Sequence, residues 1–161
     1  MSTKHRPSNL DLDKLKSASN KKFAIVCSEW NPEIINRLLE GAYDFFEEIG
    51  ISKNKIDELK VPGSFELIFG CKVAIKHKPD SIIVIGSLIK GETKHFDFIS
   101  NAVTNGIKDL NILFDIPVIF SVLTDNSLEQ AINRSGGKYG NKGEEAAVAA
   151  VEMALLNKKK V

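Results

Sequence analysis

The residues best suited to chemistry in this 161-residue sequence lie together near its middle, between Gly86 and Asp97. The segment follows the run from Ser81 to Ile85, whose β-branched apolar residues are typical of a parallel strand buried on both faces. It then changes to glycine, hydroxyl and charged side chains around His95. In open α/β sheets, ligands bind where such a strand ends. A functional site is therefore expected here.

His95 is a candidate acid and base because histidine exchanges protons readily near neutral pH. An ordinary surface histidine is the plainer alternative. Apolar residues recur at helical spacing after His95, so Thr93 and His95 should lie near the start of a helix, whose free amides attract anions.

Three other side chains have suitable chemistry and an equally simple structural explanation. Trp30 could stack on a flat heteroaromatic ring or pack on its neighbours. Glu66 could act in a site or complement the dipole of the helix that it begins. Arg134 could be a helix-terminal charge or a bidentate phosphate clamp. Residue chemistry alone leaves these alternatives open.

The composition, with 43% apolar and 27% charged residues, predicts one domain with a sizeable core. A net charge of +1 gives no overall basic field, so nucleic acid is not an expected partner. Cys27 and Cys71 have no CxxC partner and are predicted to be free thiols. No apolar run approaches the ~20 residues of a membrane helix, and no signal-peptide core is present. We therefore expect a cytoplasmic protein that makes no membrane contact.

Hydrophobic periodicity predicts four strands alternating with helices in the order βαβαβαβαα. The predicted strands are 23–27, 56–61, the run beginning at Ser81, and 117–123; the predicted helices are 32–49, 65–77, 95–113, 127–135 and 143–157. Asn31 is able to cap the first of these helices, with Pro32 at its first position. Residues 1–22 are expected to form a flexible arm, 23–157 a single domain and 158–161 a lysine-rich tail.

This order predicts an α/β fold with a parallel sheet and helices on both faces. The first turn has no GxGxxG fingerprint, and the glycines from Gly136 to Gly143 do not form a P-loop motif. Paired acidic residues of the response-regulator kind are also missing after the first strand. Polar residues follow all four strands, which a parallel sheet brings to one edge: Trp30 and Asn31, Ser64 to Glu66, Ser87 to His95, and Thr124 with Asp125.

Several segments of the chain closely resemble the lumazine synthase family. They are Trp30-Asn31, VPGSFE at 61–66, GSLIKGETKHFD at 86–97, PVIF at 117–120, EQAINRSG at 129–136 and GNKG at 140–143. The resemblance runs in register from Phe23 to Leu156. It implies a flavodoxin-like, three-layer αβα sandwich around a four-stranded parallel sheet.

The resemblance also implies a reaction. The family condenses 5-amino-6-(D-ribitylamino)uracil with 3,4-dihydroxy-2-butanone 4-phosphate to 6,7-dimethyl-8-ribityllumazine, the penultimate intermediate of riboflavin biosynthesis. It uses neither a metal nor an organic cofactor. A shell that stores a flavin-like ligand without catalysis and a flavodoxin-like electron carrier are the alternative functions.

Carried over position by position, the resemblance makes His95 the proton-transfer residue. The positions matching contacts to the ribitylaminouracil are Trp30, Asn31, Ser64, Phe65, Glu66, Ser87, Leu88, Ile89, Phe120 and Lys142. The positions matching the phosphate side are Glu92, Thr93 and Arg134. Glu92 stands where alanine is more usual, so its side chain should point away from the phosphate.

The resemblance further implies a homo-oligomer. Phe120 and Lys142 match residues that a neighbouring subunit contributes, which would place the site between subunits. The family forms pentamers or hollow icosahedral shells of twelve pentamers, and the short linker from Gly136 to Gly143 is similar to that of shell-forming members. Association with riboflavin synthase is a further implied partnership.

Overall fold

Four parallel strands form the centre of the protein in a computed structural model that describes residues 10–157. The strands are β1 (Phe23–Ser28), β2 (Ile56–Val61), β3 (Ser81–Ile89) and β4 (Val118–Asp125). Their order across the sheet is β2-β1-β3-β4, and all three neighbouring pairs are parallel. The parallel sheet predicted from the sequence is confirmed.

Helices cover both faces of this sheet. They are α1 (Leu12–Lys16), α2 (Pro32–Glu48), α3 (Leu67–Ile75), α4 (His95–Leu113), α5 (Leu128–Arg134) and α6 (Lys142–Leu156). The core that includes α2 and α6 lies on one face, and the core that includes α3 and α4 lies on the other. The flavodoxin-like αβα sandwich is therefore confirmed.

Side chains of β1 alternate between the two cores, as the period of a strand requires. Phe23, Ile25 and Cys27 pack in the core that includes α2 and α6. Ala24 and Val26 pack in the core that includes α3 and α4. Every residue of β1 is buried, which explains the continuous apolar run in the sequence.

β3 is longer than its apolar sequence suggests. Its pairing with β1 stops at Cys27 and Ile85, but its pairing with β4 continues until Ile89 lies beside Asp125. The β4 ladder thus holds the polar residues after Ile85 in strand conformation, although they interrupt the hydrophobic pattern. Beyond Ile85, β3 has no strand neighbour on its β1 side, which leaves space for a groove.

The start of α6 is fixed against α2. A Cβ atom on Gly143 would lie 1.8 Å from the carbonyl oxygen of Leu38, so only glycine allows this close approach. The side chain of Asn141 accepts from the amide of Gly143 at 2.8 Å and donates to the carbonyl of Arg37 at 2.8 Å. These contacts fix the position of Lys142, the first residue of α6.

The glycine-rich linker before α6 contains a short antiparallel pair that the sequence did not predict. The pair consists of β5 (Ser135–Gly137) and β6 (Gly140–Asn141). Gly136 and Gly140 have positive φ angles of 109° and 80°, which explains their glycine identity. Glycine-rich segments lack the alternating side chains that normally identify a strand.

The described part of the N-terminal segment packs on the domain. Leu15 and Ala18 are buried in the core that includes α2, and the amide of Lys22 donates to Asp80 at 2.8 Å. These contacts lie within the segment for which the sequence predicted a flexible arm. The rest of that arm, residues 1–9, and the lysine-rich tail lie outside the described residues.

Two further sequence predictions concern the cysteines and the membrane. Cys27 and Cys71 are free and buried, as predicted. Burial raises the pKa of the Cys27 thiol to about 11 and that of the Cys71 thiol to about 12. Within residues 10–157, no helix is long and apolar enough to cross a membrane.

Candidate active site

A groove with a volume of about 580 Å³ lies at the carboxyl ends of β1 and β3. We call it the strand-end groove, and it is lined by Trp30, Asn31, Gly63, Ser64, Phe65, Glu66, Ser87, Leu88, Ile89, His95 and Ile99. Most residues for which the sequence predicted a role in ligand binding thus meet in one place. The groove occupies the expected position, at the carboxyl edge of a parallel sheet.

The turn after β1 supplies an aromatic surface. Trp30 is 71% exposed, so its ring is available to a ligand and is not part of the core. Asn31 adopts the left-handed conformation with φ 58°, which asparagine tolerates better than most residues. Its side chain does not cap α2, contrary to the sequence prediction. It donates instead to the carbonyl of Ser87 at 3.0 Å, tying the end of β1 to β3.

The segment between β2 and α3 forms a second wall, and Gly63 determines its shape. A Cβ atom at this position would lie 2.9 Å from Oε2 of Glu66 and 3.5 Å from Cδ1 of Trp30. A glycine here therefore lets the carboxylate and the indole approach the same place. Phe65 is 51% exposed and adds a second aromatic side chain to the groove.

The floor of the groove contains polar atoms without partners. The hydroxyl groups of Ser64 and Ser87 are buried and have no hydrogen-bond partner within the described part of the chain. A Cβ atom on Gly86 would lie 3.1 Å from the Ser64 hydroxyl, so this glycine helps to make room for it. Buried polar groups usually have partners, so these two hydroxyls are exceptions that lie beneath the surface of the groove.

His95 reaches the groove from its outer side. It is the first residue of α4, and its amide donates to the Thr93 hydroxyl at 3.4 Å. The predicted helix start at this position is confirmed. Glu92 and Thr93 lie in the exposed loop before α4 and do not line the groove.

A second groove, of about 430 Å³, runs along β4, the edge strand of the sheet. We call it the β4 groove, and its lining includes Phe120, Asp125, Arg134, Lys142 and Glu145. The sequence analysis placed Thr124 and Asp125 with the polar residues of the other strand ends. The structure places them here, because β4 lies at the edge of the sheet beyond β3.

Each cation of the β4 groove lies beside a carboxylate. Nε of Arg134 is 3.6 Å from Oδ1 of Asp125, and Nζ of Lys142 is 2.5 Å from Oε2 of Glu145. Burial raises the pKa of the Asp125 carboxyl, and the nearby Arg134 guanidinium partly offsets that effect. Neither acid was assigned a role from the sequence. The spacing of Glu145, one helical turn after Lys142, could have predicted their ion pair.

Apart from Glu92 and Thr93 in the loop before α4, the predicted site residues fall into two groups. One group, which includes Trp30, Glu66 and His95, lines the strand-end groove. Phe120, Arg134 and Lys142 line the β4 groove, which shares no lining residue with the first. Arg134 is thus grouped with the two residues that the resemblance assigns to a neighbouring subunit, and not with Glu92 and Thr93.

Neither groove offers an evident metal centre. Over residues 10–157, no group of three or more histidine, cysteine, aspartate or glutamate side chains is arranged to hold a metal ion. In the strand-end groove, two aromatic rings, one carboxylate and one histidine suit a flat polar organic ligand and proton transfer.

Comparison with known proteins gives a consistent result. A family model described as 6,7-dimethyl-8-ribityllumazine synthase matches residues 20–158. A protein of that name from Christiangramia forsetii is 54% identical over 153 residues, covering 94% of this chain and 91% of the relative. One from Flavobacterium psychrophilum is 52% identical, covering 92% and 79%. One from Clostridium kluyveri is 45% identical, covering 87% and 92%.

Proposed function

Since this chain belongs to the 6,7-dimethyl-8-ribityllumazine synthase family, transferases of riboflavin biosynthesis, we propose that it catalyses the condensation implied by that name. The substrates would be 5-amino-6-(D-ribitylamino)uracil and 3,4-dihydroxy-2-butanone 4-phosphate, and the products the lumazine, phosphate and water. The observation that carries this proposal is the strand-end groove, where Trp30, Glu66 and His95 meet.

The groove suits the ribitylaminouracil. The exposed indole of Trp30 offers a flat surface for the pyrimidine ring, an arrangement that aromatic residues favour. The exposed Glu66 carboxylate, in the segment that contains Ser64, offers hydrogen-bond acceptors to the ribityl chain. The carbonyl of Ser87 faces Asn31, on the side of β3 that borders the groove. Successive residues of a strand direct their main-chain groups to opposite sides, so those of Ile89 face the same side as those of Ser87. Ser87 and Ile89 therefore present backbone groups to the pyrimidine edge.

The phosphate of the second substrate would bind near the start of α4. Helix-start amides attract anions, and Thr93 adds a hydroxyl at this point. Arg134 supplies the planar guanidinium that binds phosphate through two parallel hydrogen bonds. Glu92 is exposed in the same loop, and we propose that it contributes its amide while its side chain points to solvent.

The chemistry requires repeated proton transfer. The exocyclic amine adds to the ketone and water leaves to give an imine. Phosphate then leaves by elimination, and the new carbonyl closes on the ribityl-bearing nitrogen with loss of a second water. A single histidine can act as acid and base in turn, worth ~10²–10⁴ in rate. We assign this role to His95. Holding both substrates in contact supplies much of the remaining acceleration.

We also propose that a complete site requires two copies of the chain. Phe120, Arg134 and Lys142 line a groove separate from that of His95, so a neighbouring copy could present them to the strand-end groove. Exposed apolar side chains on α3 and α4, including Phe69 and Phe98, offer surface for such contacts. The short linker before α6 favours the icosahedral shell over the pentamer, and the size of the purified particle would distinguish them.

The direct test is to mix purified protein with both substrates and to follow the absorbance and fluorescence of the lumazine. An enzyme-free blank is essential because the substrates condense slowly unaided. We expect a protein-dependent rate that saturates with each substrate. A folded oligomer whose rate equals the blank would contradict the proposal and favour a ligand-storing shell.

A further inference from the structure

Asp125, the last residue of β4, is a buried carboxylate that no step of the proposed reaction uses. The residue is 4% exposed, and its Oδ2 atom has no hydrogen-bond partner among the described residues. Burying a charged group with one oxygen unpartnered costs stability, so such a group has a specific environment to explain it.

The nearby charge is Arg134, whose Nε atom lies 3.6 Å from Oδ1 of Asp125. The two side chains differ in exposure: that of Asp125 is 5% exposed and that of Arg134 is 35% exposed. A guanidinium held on its Nε side keeps both terminal nitrogen atoms free. Those two atoms can bind a phosphate group through parallel hydrogen bonds.

The backbone fixes both ends of this contact. Asp125 is held in the sheet because the amide of Lys90 donates to its carbonyl oxygen at 2.9 Å. The short link to α5 is held by the Ser127 hydroxyl, which accepts from the amide of Gln130 at 3.3 Å. The Gln130 side chain in turn accepts from the amide of Asn126 at 2.9 Å. Arg134 therefore starts from a defined position relative to Asp125.

We propose that Asp125 is a positioning residue that holds the Nε side of Arg134 and directs its two terminal nitrogens to the substrate phosphate. This inference rests on the proposed function and adds a residue to it. An arginine that is already held loses less side-chain freedom when phosphate binds. Asp125 thus acts through Arg134 and does not touch substrate.

The test is Asp125→Asn, which keeps the shape of the side chain and removes its charge. We expect the KM for the butanone phosphate to rise by about three- to tenfold, the effect of releasing one long side chain. The KM for the ribitylaminouracil should stay unchanged. Asp109→Asn is the matched control, because it removes a carboxylate 2.9 Å from Lys108 on the exposed surface of α4.

A double-mutant cycle separates this role from simple packing. In an Arg134→Ala background, Asp125→Asn should have no further effect on the KM for the butanone phosphate. If Asp125→Asn raised the KM for the butanone phosphate equally in the wild-type and Arg134→Ala backgrounds, its role would be structural and the proposal would be overturned. A rise in the KM values for both substrates would have the same meaning. An unchanged or lower KM in the single variant would show that Asp125 only neutralises Arg134, which would also overturn it.

Calorimetry with inorganic phosphate gives a readout that needs no turnover. Weaker phosphate binding by Asp125→Asn than by the wild type supports the proposal, and equal or tighter binding contradicts it. If Asp125→Asn does not fold, Asp125→Ser provides the same comparison with a smaller polar side chain. A wild type that binds phosphate but forms no lumazine would count against the proposed function alone.

Discussion

His95 is the residue on which the proposed chemistry depends most. It lines the strand-end groove from the start of α4, and its exposed side chain can reach a ligand there. A proton-transfer residue contributes mainly to the transition state and little to ground-state binding. Its loss should therefore affect turnover more than affinity.

We expect His95→Ala to lower kcat by about 10²–10⁴-fold while the ribitylaminouracil still binds. Trp30 is the chain's only tryptophan and lines the same groove, so quenching of its fluorescence reports binding directly. His77→Ala is the matched control, because His77 lies beside Asp57 near the amino end of β2. If His95→Ala abolished the quenching, or if both variants lost turnover equally, the assigned role would be wrong.

Most residues of the strand-end groove could be predicted from the sequence, but not all of their contacts. Trp30, Glu66 and His95 could be found because each follows a predicted strand. The hydrogen bond from Asn31 to the Ser87 carbonyl could not be predicted, since the Asn-Pro pair is typical of a helix cap. A contact between residues distant in sequence replaced the local one. The contact between Asp125 and Arg134 was missed because it depends on how the link after β4 turns into α5.

The pairing of α2 with α6 shows how elements hold the site. α6 begins at Lys142, whose position depends on Asn141 and on the close approach of Gly143 to Leu38. Lys142 lines the β4 groove beside Arg134. The stability of this helix pair and the geometry of the β4 groove therefore depend on the same contacts.

Asn141→Ala should lower the free energy of unfolding by about 1–3 kcal/mol, because it removes a helix cap and a partly buried hydrogen bond. Urea unfolding at matched protein concentration measures this change. Asn141→Asp keeps an acceptor for the cap but loses the donor to Arg37, so its effect should be intermediate. Asn105→Ala, which removes an exposed hydrogen bond on α4, is the control. Equal stability of Asn141→Ala and Asn105→Ala would contradict this account.

Among the elements, the regular ones were predictable and the irregular ones were not. The continuous apolar runs of β1 and β3 and the helical spacing of apolar residues in α2 and α4 were visible in the sequence, and the structure confirms these elements. The continuation of β3 past Gly86 depends on the β4 ladder, a tertiary contact that no local pattern contains. The β5 and β6 pair is likewise fixed by glycine conformations and not by side-chain alternation.

On the scale of the whole molecule, the buried Cys71 thiol links stability to pH. Its pKa is raised to about 12 by burial, from 9.0. Above pH 9 the unfolded chain releases this proton while the folded chain keeps it. The free energy of unfolding therefore falls as the pH rises through this range, and below pH 9 the thiol has no effect.

We expect the stability of the wild type relative to Cys71→Ala to fall by about 1–3 kcal/mol between pH 8 and pH 11. Urea unfolding of both proteins at a series of pH values measures this difference. Tyr43 and Cys27 also have raised pKa values, but both proteins retain them, so their effects cancel. A difference that stays constant across this range would show that the thiol titrates alike in both states.

The sheet order explains why two grooves, and not one, contain the predicted site residues. β4 lies outside β3, so residues at its end face a different groove from those that follow β1. The sequence predicted a single edge for all four strand ends, because it supplied the strands but not their order. We propose that a second copy of the chain brings residues of the two grooves together.

Complementation between His95→Ala and Arg134→Ala shows whether neighbouring copies share a site. Each variant alone should be nearly inactive. In mixed oligomers from co-expression, about a quarter of the sites should combine an intact strand-end groove with an intact Arg134 from a neighbouring copy. We predict that lumazine formation recovers to that fraction of the wild-type rate. Mixed oligomers no more active than the separate variants would contradict a site shared between copies.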